Sequence, residues 1–150
     1  MSLTRTGLDP RDMLEALQAF ADGSVAHHVA TEMAVEAQRL VRATFAESKA
    51  PSGRRWLPLK KPRPGGRVLV KTGKLAAIAA MYSVDEHGFV FERVDTSSAF
   101  YGRYHQGEGF RLPRLPRRPF YPDEAGPLPV GWWIGLGSAA ERAVADFVPR

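Results

Sequence analysis

The chain has 150 residues, 44% of them hydrophobic, and a formal net charge of +5. That size suits one domain with one sizeable core. Cysteine is absent, which excludes disulfides and thiolate-held zinc or iron–sulfur centres and permits a reducing compartment. There is no apolar run of about 18 residues to span a membrane, and the first residues lack the apolar stretch of a secretory leader.

The charge is unevenly placed. Residues 1–48 carry four basic and seven acidic groups. Residues 49–74 carry nine basic groups (Lys49, Arg54, Arg55, Lys60, Lys61, Arg63, Arg67, Lys71 and Lys74) and no acid. Such a block repels itself and stays solvated until phosphate or an acidic surface neutralises it.

In chain order, Asp9-Pro10 opens a first helix, with Asp as cap and Pro at the first helical position. Leu14, Leu17, Phe20 and Ala21 recur at helical spacing, and Gly23 is the expected stop. Ser24 is the expected cap of a longer helix, 24–48. Its apolar stripe is Val25, Val29, Met33, Ala37, Leu40, Val41, Thr44 and Phe45. His27 and His28 are adjacent, so they face different directions and do not form a metal-binding i, i+4 pair.

Pro51 ends that helix. A long Pro/Gly-rich basic loop follows at about 48–70, with Trp56 as its anchor and Leu57 and Leu59 as an apolar clip. Thr72 caps a short helix that turns Leu75, Ile78 and Ala79 inward. A β-hairpin is expected next, with strands at about 80–85 and 89–94 and a turn at Glu86-His87-Gly88. A further short helix, capped by Ser97 or Ser98, carries Phe100, Tyr101 and Tyr104 into His105-Gln106-Gly107.

Pro113, Pro116, Pro119 and Pro122 keep the following stretch extended. The whole proline-rich arm covers about 107–131. Trp132, Trp133 and Ile134 form an apolar patch. Ser138-Ala-Ala-Glu141 has the form of a capping box for a terminal helix, with Leu136, Ala140, Val144, Phe147 and Val148 along one side. The expected fold is a single α+β domain, 1–150. A long N-terminal helix packs on a small antiparallel sheet, with Leu75 and Ile78 between them and a C-terminal helix closing the chain.

Catalytic signatures are missing. There is no P-loop, no Gly-x-Ser-x-Gly and no His-Glu-x-x-His, and Gly107-Glu108-Gly109 lacks both a third glycine and a strand–turn–helix setting. His105 is the one histidine in a polar, glycine-rich setting, with Glu108 its sole local carboxylate. A structural role for His105 outweighs a catalytic one. No catalytic, metal or cofactor residues are assigned, and no enzyme activity is expected. Around the basic block only Trp56 is aromatic, which supports weak, non-specific phosphate contact and no base-stacking platform.

Four spaced words remain: "SGRRWLPLKK", "GGRVLVKTGKLAA", "YGRYHQGEG" and "LPRRPFYP". Their order resembles the phage virion morphogenesis, or tail completion, family of tailed bacteriophages. The matching positions are Gly53 with Trp56, Pro58 and Leu59; Leu69, Thr72, Gly73 and Leu75; Tyr101 or Tyr104 with His105, Gln106 and Gly107; and Arg118, Pro119 and Phe120. The chain departs from the family word at Pro51-Ser52-Gly53, which two arginines separate from Trp56. It also departs after Phe120, where "YPDEAGPLPVGWWIGLG" precedes the last helix.

The resemblance implies a structural virion protein of the neck, a tail completion or head–tail joining subunit, assembled in the host bacterial cytoplasm. It implies a multi-copy ring, six copies expected, between head connector and tail. Its partners would be itself, head-completion or connector proteins, and tail terminator or tail tube proteins, with DNA contact in the lumen and no membrane. Trp56, Leu59, Lys60, Lys61, Arg63, Thr72, Gly73, Tyr104, His105, Gln106, Gly107, Arg118, Pro119 and Phe120 are the expected assembly residues. The alternatives are a tail terminator capping the tail tube and a small basic nucleic-acid-binding protein.

Overall fold

Two helices lying antiparallel organise the chain. The computed structural model describes residues 9–61, 64–92, 101–106 and 116–148. Among them are α1 (Pro10–Ala21), α2 (Ser24–Glu47), α3 (Lys74–Ala79), β1 (Tyr82–Asp85), β2 (Gly88–Phe91), α4 (Gly102–Gln106) and α5 (Val130–Ala145). The fold is mixed: a long helix near the N-terminus, a two-stranded antiparallel sheet and a C-terminal helix.

Helix α2 buries Val25, Ala30, Ala34, Ala37, Val41, Thr44 and Phe45. Its most extensive packing is against α5, which buries Trp132, Leu136, Ala139 and Ala143. The alanines on both faces let two helix backbones approach closely. Gly135 of α5 faces α2 as well, where a Cβ would come within 2.7 Å of the Glu36 carboxylate. The antiparallel sense shows at the far end, where His28 meets Asp146 at 3.3 Å and stacks edge-on with Phe147. The core cluster runs from Ala37, Val41 and Phe45 through Ala50, Trp56, Leu75, Ala79 and Ala80 to Phe120, Trp132 and Leu136.

The hairpin pairs Tyr82 with Phe91 and Asp85 with Gly88. Tyr82, Val84, Phe89 and Phe91 are half-buried, while Ser83, Asp85 and Val90 are exposed, as period-two alternation requires. β1 starts at Tyr82 because Ala80 is taken up as the buried C-cap of α3. Gly88 is a strand residue with φ +140°, so the turn itself is Glu86-His87, fastened by Asp85 Oδ1 accepting from His87 N at 2.8 Å.

Three expected boundaries are corrected. Ser24 does not cap α2. Gly23, at φ +84°, takes the cap position, and Asp22 accepts hydrogen bonds from Ser24 N and Oγ. Thr72 stands one residue before its cap position, which Gly73 fills at φ +77°. Helix α5 begins at Val130, inside the stretch expected as arm, and Ser138 is mid-helix. The physical reason is burial. Trp132, Leu136, Ala139 and Ala143 recur at helical spacing against α2, which outweighs three helix-weakening glycines; Leu136 is buried as expected, but Ala139 and Ala143 take the places expected for Ala140 and Val144. Leu57 is 58% exposed and clips nothing, whereas Leu59 is half-buried.

Candidate assembly site

The four words meet in one place. Trp56 is buried because its backbone N–H donates to Ser48 O at 2.8 Å, folding the basic loop back on the end of α2. Its ring packs edge-on against Phe45 at 5.5 Å, and Phe45 also meets Phe120 at 5.3 Å. Its indole Nε1 donates to Pro119 O at 3.0 Å. The first and fourth words are thereby joined.

Gln106 joins the third word to the fourth. Its Oε1 accepts from Phe120 N at 2.9 Å and Tyr121 N at 3.2 Å, and its Nε2 donates to Tyr121 O at 2.8 Å. One buried amide therefore serves as a strand-like partner for two residues of the arm. Beside it, Arg118 N donates to His105 O at 3.0 Å, and Arg117 Nε donates to Gln106 O at 3.1 Å. The second word enters through α3, where Leu75 is 1% exposed and Tyr121 Oη donates to Ala79 O at 2.8 Å. Tyr121 also stacks on Phe91 of the hairpin.

Arg118 is 5% exposed. Its Nε donates to Leu57 O at 3.0 Å and its Nη2 to Pro58 O at 3.1 Å. Among the described residues no carboxylate pairs with it, so the two backbone carbonyls solvate a charge that stays uncompensated, and burial pulls its pKa down. The planar fork of arginine suits two adjacent carbonyls. His105 is buried beside it, its Nδ1 3.4 Å from Pro116 O. Burial pulls the imidazole below its ordinary value of 6.5; the Pro116 carbonyl opposes this, and the Arg118 charge adds to it.

The expected assembly residues therefore fall into two groups. Trp56, His105, Gln106, Arg118 and Phe120 are buried inside the subunit with Pro119 half-buried, and together they form a clasp that closes on its own chain. Lys60, Lys61 and Thr72 are exposed, while Leu59, Gly73 and Tyr104 are half-buried. Arg63, Gly107 and Glu108 lie outside the described residues. Arg54, Arg55, Lys60, Lys61, Arg67, Lys71 and Lys74 are all exposed and form the basic surface. Next to the clasp is a cleft of about 530 Å3, lined by Arg54, Arg55, Arg117, Tyr121 and Asp123 among others.

Three clasp members escaped the sequence reading. Arg117 and Tyr121 lie in the fourth word on either side of the matched Arg118-Pro119-Phe120, and the aromatic pair Phe120-Tyr121 is the signal that points to them. Phe45 read only as part of a helix stripe. No known family model, curated protein or solved structure matches the chain.

Proposed function

We propose that this chain is a structural subunit of a tailed-phage neck, a tail completion or head–tail joining protein working as a ring between head connector and tail. One observation carries the reading. The four words of the resemblance lie far apart in sequence, yet Trp56, Leu75, Gln106 and Phe120 belong to one packed and hydrogen-bonded cluster. Any one-core domain gathers its large apolar residues, so the support lies in the specific hydrogen bonds that tie Trp56 and Gln106 to Pro119 and Phe120. The clasp is then the scaffold, and the surfaces it stabilises make the contacts.

The test is localisation. Particles from the source strain, labelled with an antibody to this chain and imaged, should carry label at the head–tail junction. Label along the tail, at its distal tip or nowhere on the particle sinks the reading, and label on detached tails but never on heads favours the tail terminator. A second reading, polyanion binding, is favoured by the exposed basic surface around Lys60 and Lys61.

A further inference from the structure

Helix α1 turns its apolar side away from the subunit. Met13, Leu14, Leu17 and Phe20 share one stripe at helical spacing, and they are 48, 56, 62 and 52% exposed. The side that meets the rest of the protein is another one. Asp12, Glu15, Ala16 and Ala19 face Asp146, Phe147 and Val148, just beyond the C-terminal end of α5. An amphipathic helix at the surface of a finished globule does the reverse.

Helix α5 is apolar on two sides. Opposite its buried stripe stand Val130, Trp133 and Ile134, 73, 70 and 59% exposed. At on the order of 100 Å2 apiece, the α1 stripe leaves about 400 Å2 and the α5 face about 300 Å2 of mostly apolar surface in water; pressed together they would bury about 700 Å2, the apolar share of an interface at the lower end of the standard size. Each patch is about the size of the largest apolar patch on an ordinary monomer, a size that is often functional. An exposed tryptophan flanked by aliphatics is the kind of residue that anchors one.

The two patches do not cover each other within the subunit, since both stand about half exposed or more. Helix α1 sits by Asp146, whereas the α5 patch ends at Ile134, about 18 Å away along the helix at 1.5 Å per residue. A membrane surface is a poor occupant for α1, because Asp9, Asp12, Glu15 and Asp22 outnumber Arg11 there and helices that bind anionic membranes carry lysine and arginine.

We infer that the apolar stripe of α1 docks on the outer face of α5 of a second copy of this chain. The contact is heterologous: each copy offers a stripe to one neighbour and a face to another, so association continues until it closes as a ring or runs on as a filament. This supplies the subunit contact that the neck reading needs, and it rests on that reading only for closure.

Two variants test it by complementation. Leu14→Glu with Leu17→Glu spoils the stripe, and Trp133→Glu with Ile134→Glu spoils the face. All four side chains are more than half exposed, and circular dichroism checks that the variants stay folded. By analytical ultracentrifugation the intact chain should form species larger than a dimer, each variant alone should be a monomer, and an equimolar mixture should give a 1:1 heterodimer and stop there. If the glutamates unfold the chain, Leu17→Ala and Trp133→Ala should each weaken self-association at least tenfold.

A monomeric intact chain overturns the inference. So does self-association of the face variant, which means stripe on stripe, or of the stripe variant, which means face on face. A mixture that stays monomeric overturns it as well. Heterodimers from a chain absent from the neck leave the interface standing and remove the neck reading. Label at the neck with a monomeric mixture does the opposite.

Discussion

Trp56 and Pro119 are joined by a hydrogen bond, indole Nε1 to carbonyl oxygen, across 63 residues of chain. Around that bond the basic loop, the short helix and the proline-rich arm become one object. Its polar members are buried, so each lost partner strands a group away from water, which costs more than the bond itself contributes.

Gln106 holds the arm most directly. Gln106→Leu removes the partner of Phe120 N–H and of both backbone groups of Tyr121. At about 1–3 kcal/mol per stranded group, we expect a loss of at least about 3 kcal/mol in urea unfolding. Tyr121→Phe, which drops one hydroxyl bond to Ala79, should cost about 1 kcal/mol. Equal losses for the two variants would refute the bridging role of the amide.

Arg118 holds the basic loop. Arg118→Met frees the carbonyls of Leu57 and Pro58, and limited trypsin digestion should then cut after Lys60 several-fold faster. Arg118→Lys should rescue little, because an ammonium is a point donor and lacks the fork. Unchanged cleavage in both variants would mean that the loop is held elsewhere.

His105 gives the clasp a pH dependence. Its folded-state pKa lies below 6.5, with burial the main cause. Between that depressed value and 6.5 the unfolded chain binds more protons than the folded one, so this contribution to stability is complete above about 6.5 and is lost as pH falls through the window. Denaturant midpoints of the native chain should drop as the pH falls below about 6.5, and His105→Gln should flatten that slope. A parallel drop in the variant would assign the effect to other groups.

Gly135 is small because of Glu36. The carboxylate of Glu36 is held by Arg39 through bonds of 2.8 and 2.6 Å, and the arginine keeps its pKa below the usual carboxylate range. Gly135→Ala alone should therefore gain less than the roughly 1 kcal/mol that alanine normally brings to a helix. In a Glu36→Ala background the full gain should return, and thermal melts of the double-mutant cycle measure the coupling. Additive effects would show that the two sites ignore each other.

The basic surface should bind duplex DNA weakly, with affinity falling steeply as salt rises. Each phosphate contact contributes about 0.9 to the slope of log affinity on log salt, so Lys60→Gln with Lys61→Gln should lower it by up to roughly two. Salt-independent binding, or none, removes the polyanion reading.

Much of this fold was legible in the sequence, and the exceptions share a cause. Asp9-Pro10, the α2 stripe, the hairpin and the Trp56 anchor all follow from local rules of capping, periodicity and turn chemistry. The start of α5 does not, because Gly131, Gly135 and Gly137 after two prolines have the composition of a loop. Only the alanine-lined face of α2 makes them helical. The clasp was legible as a pair of words but not as a closure on its own chain, since His105-Gln106 and Arg118-Phe120 carry no mark of which copy they meet. Likewise Leu14, Leu17 and Phe20 declare a stripe, but not which way it points.

The bond from Trp56 to Pro119 also sets an order of events during synthesis. At about 5–20 residues per second, the ribosome needs roughly 3–13 s to deliver Pro119 after Trp56. For that interval Phe45 and Trp56 lack Phe120, and the loop carbonyls lack Arg118. The nascent chain therefore passes through a stage with an aromatic surface uncovered beside a strongly cationic segment. That stage, more than the finished subunit, is when the protein is most open to capture by a chaperone or by another nascent copy.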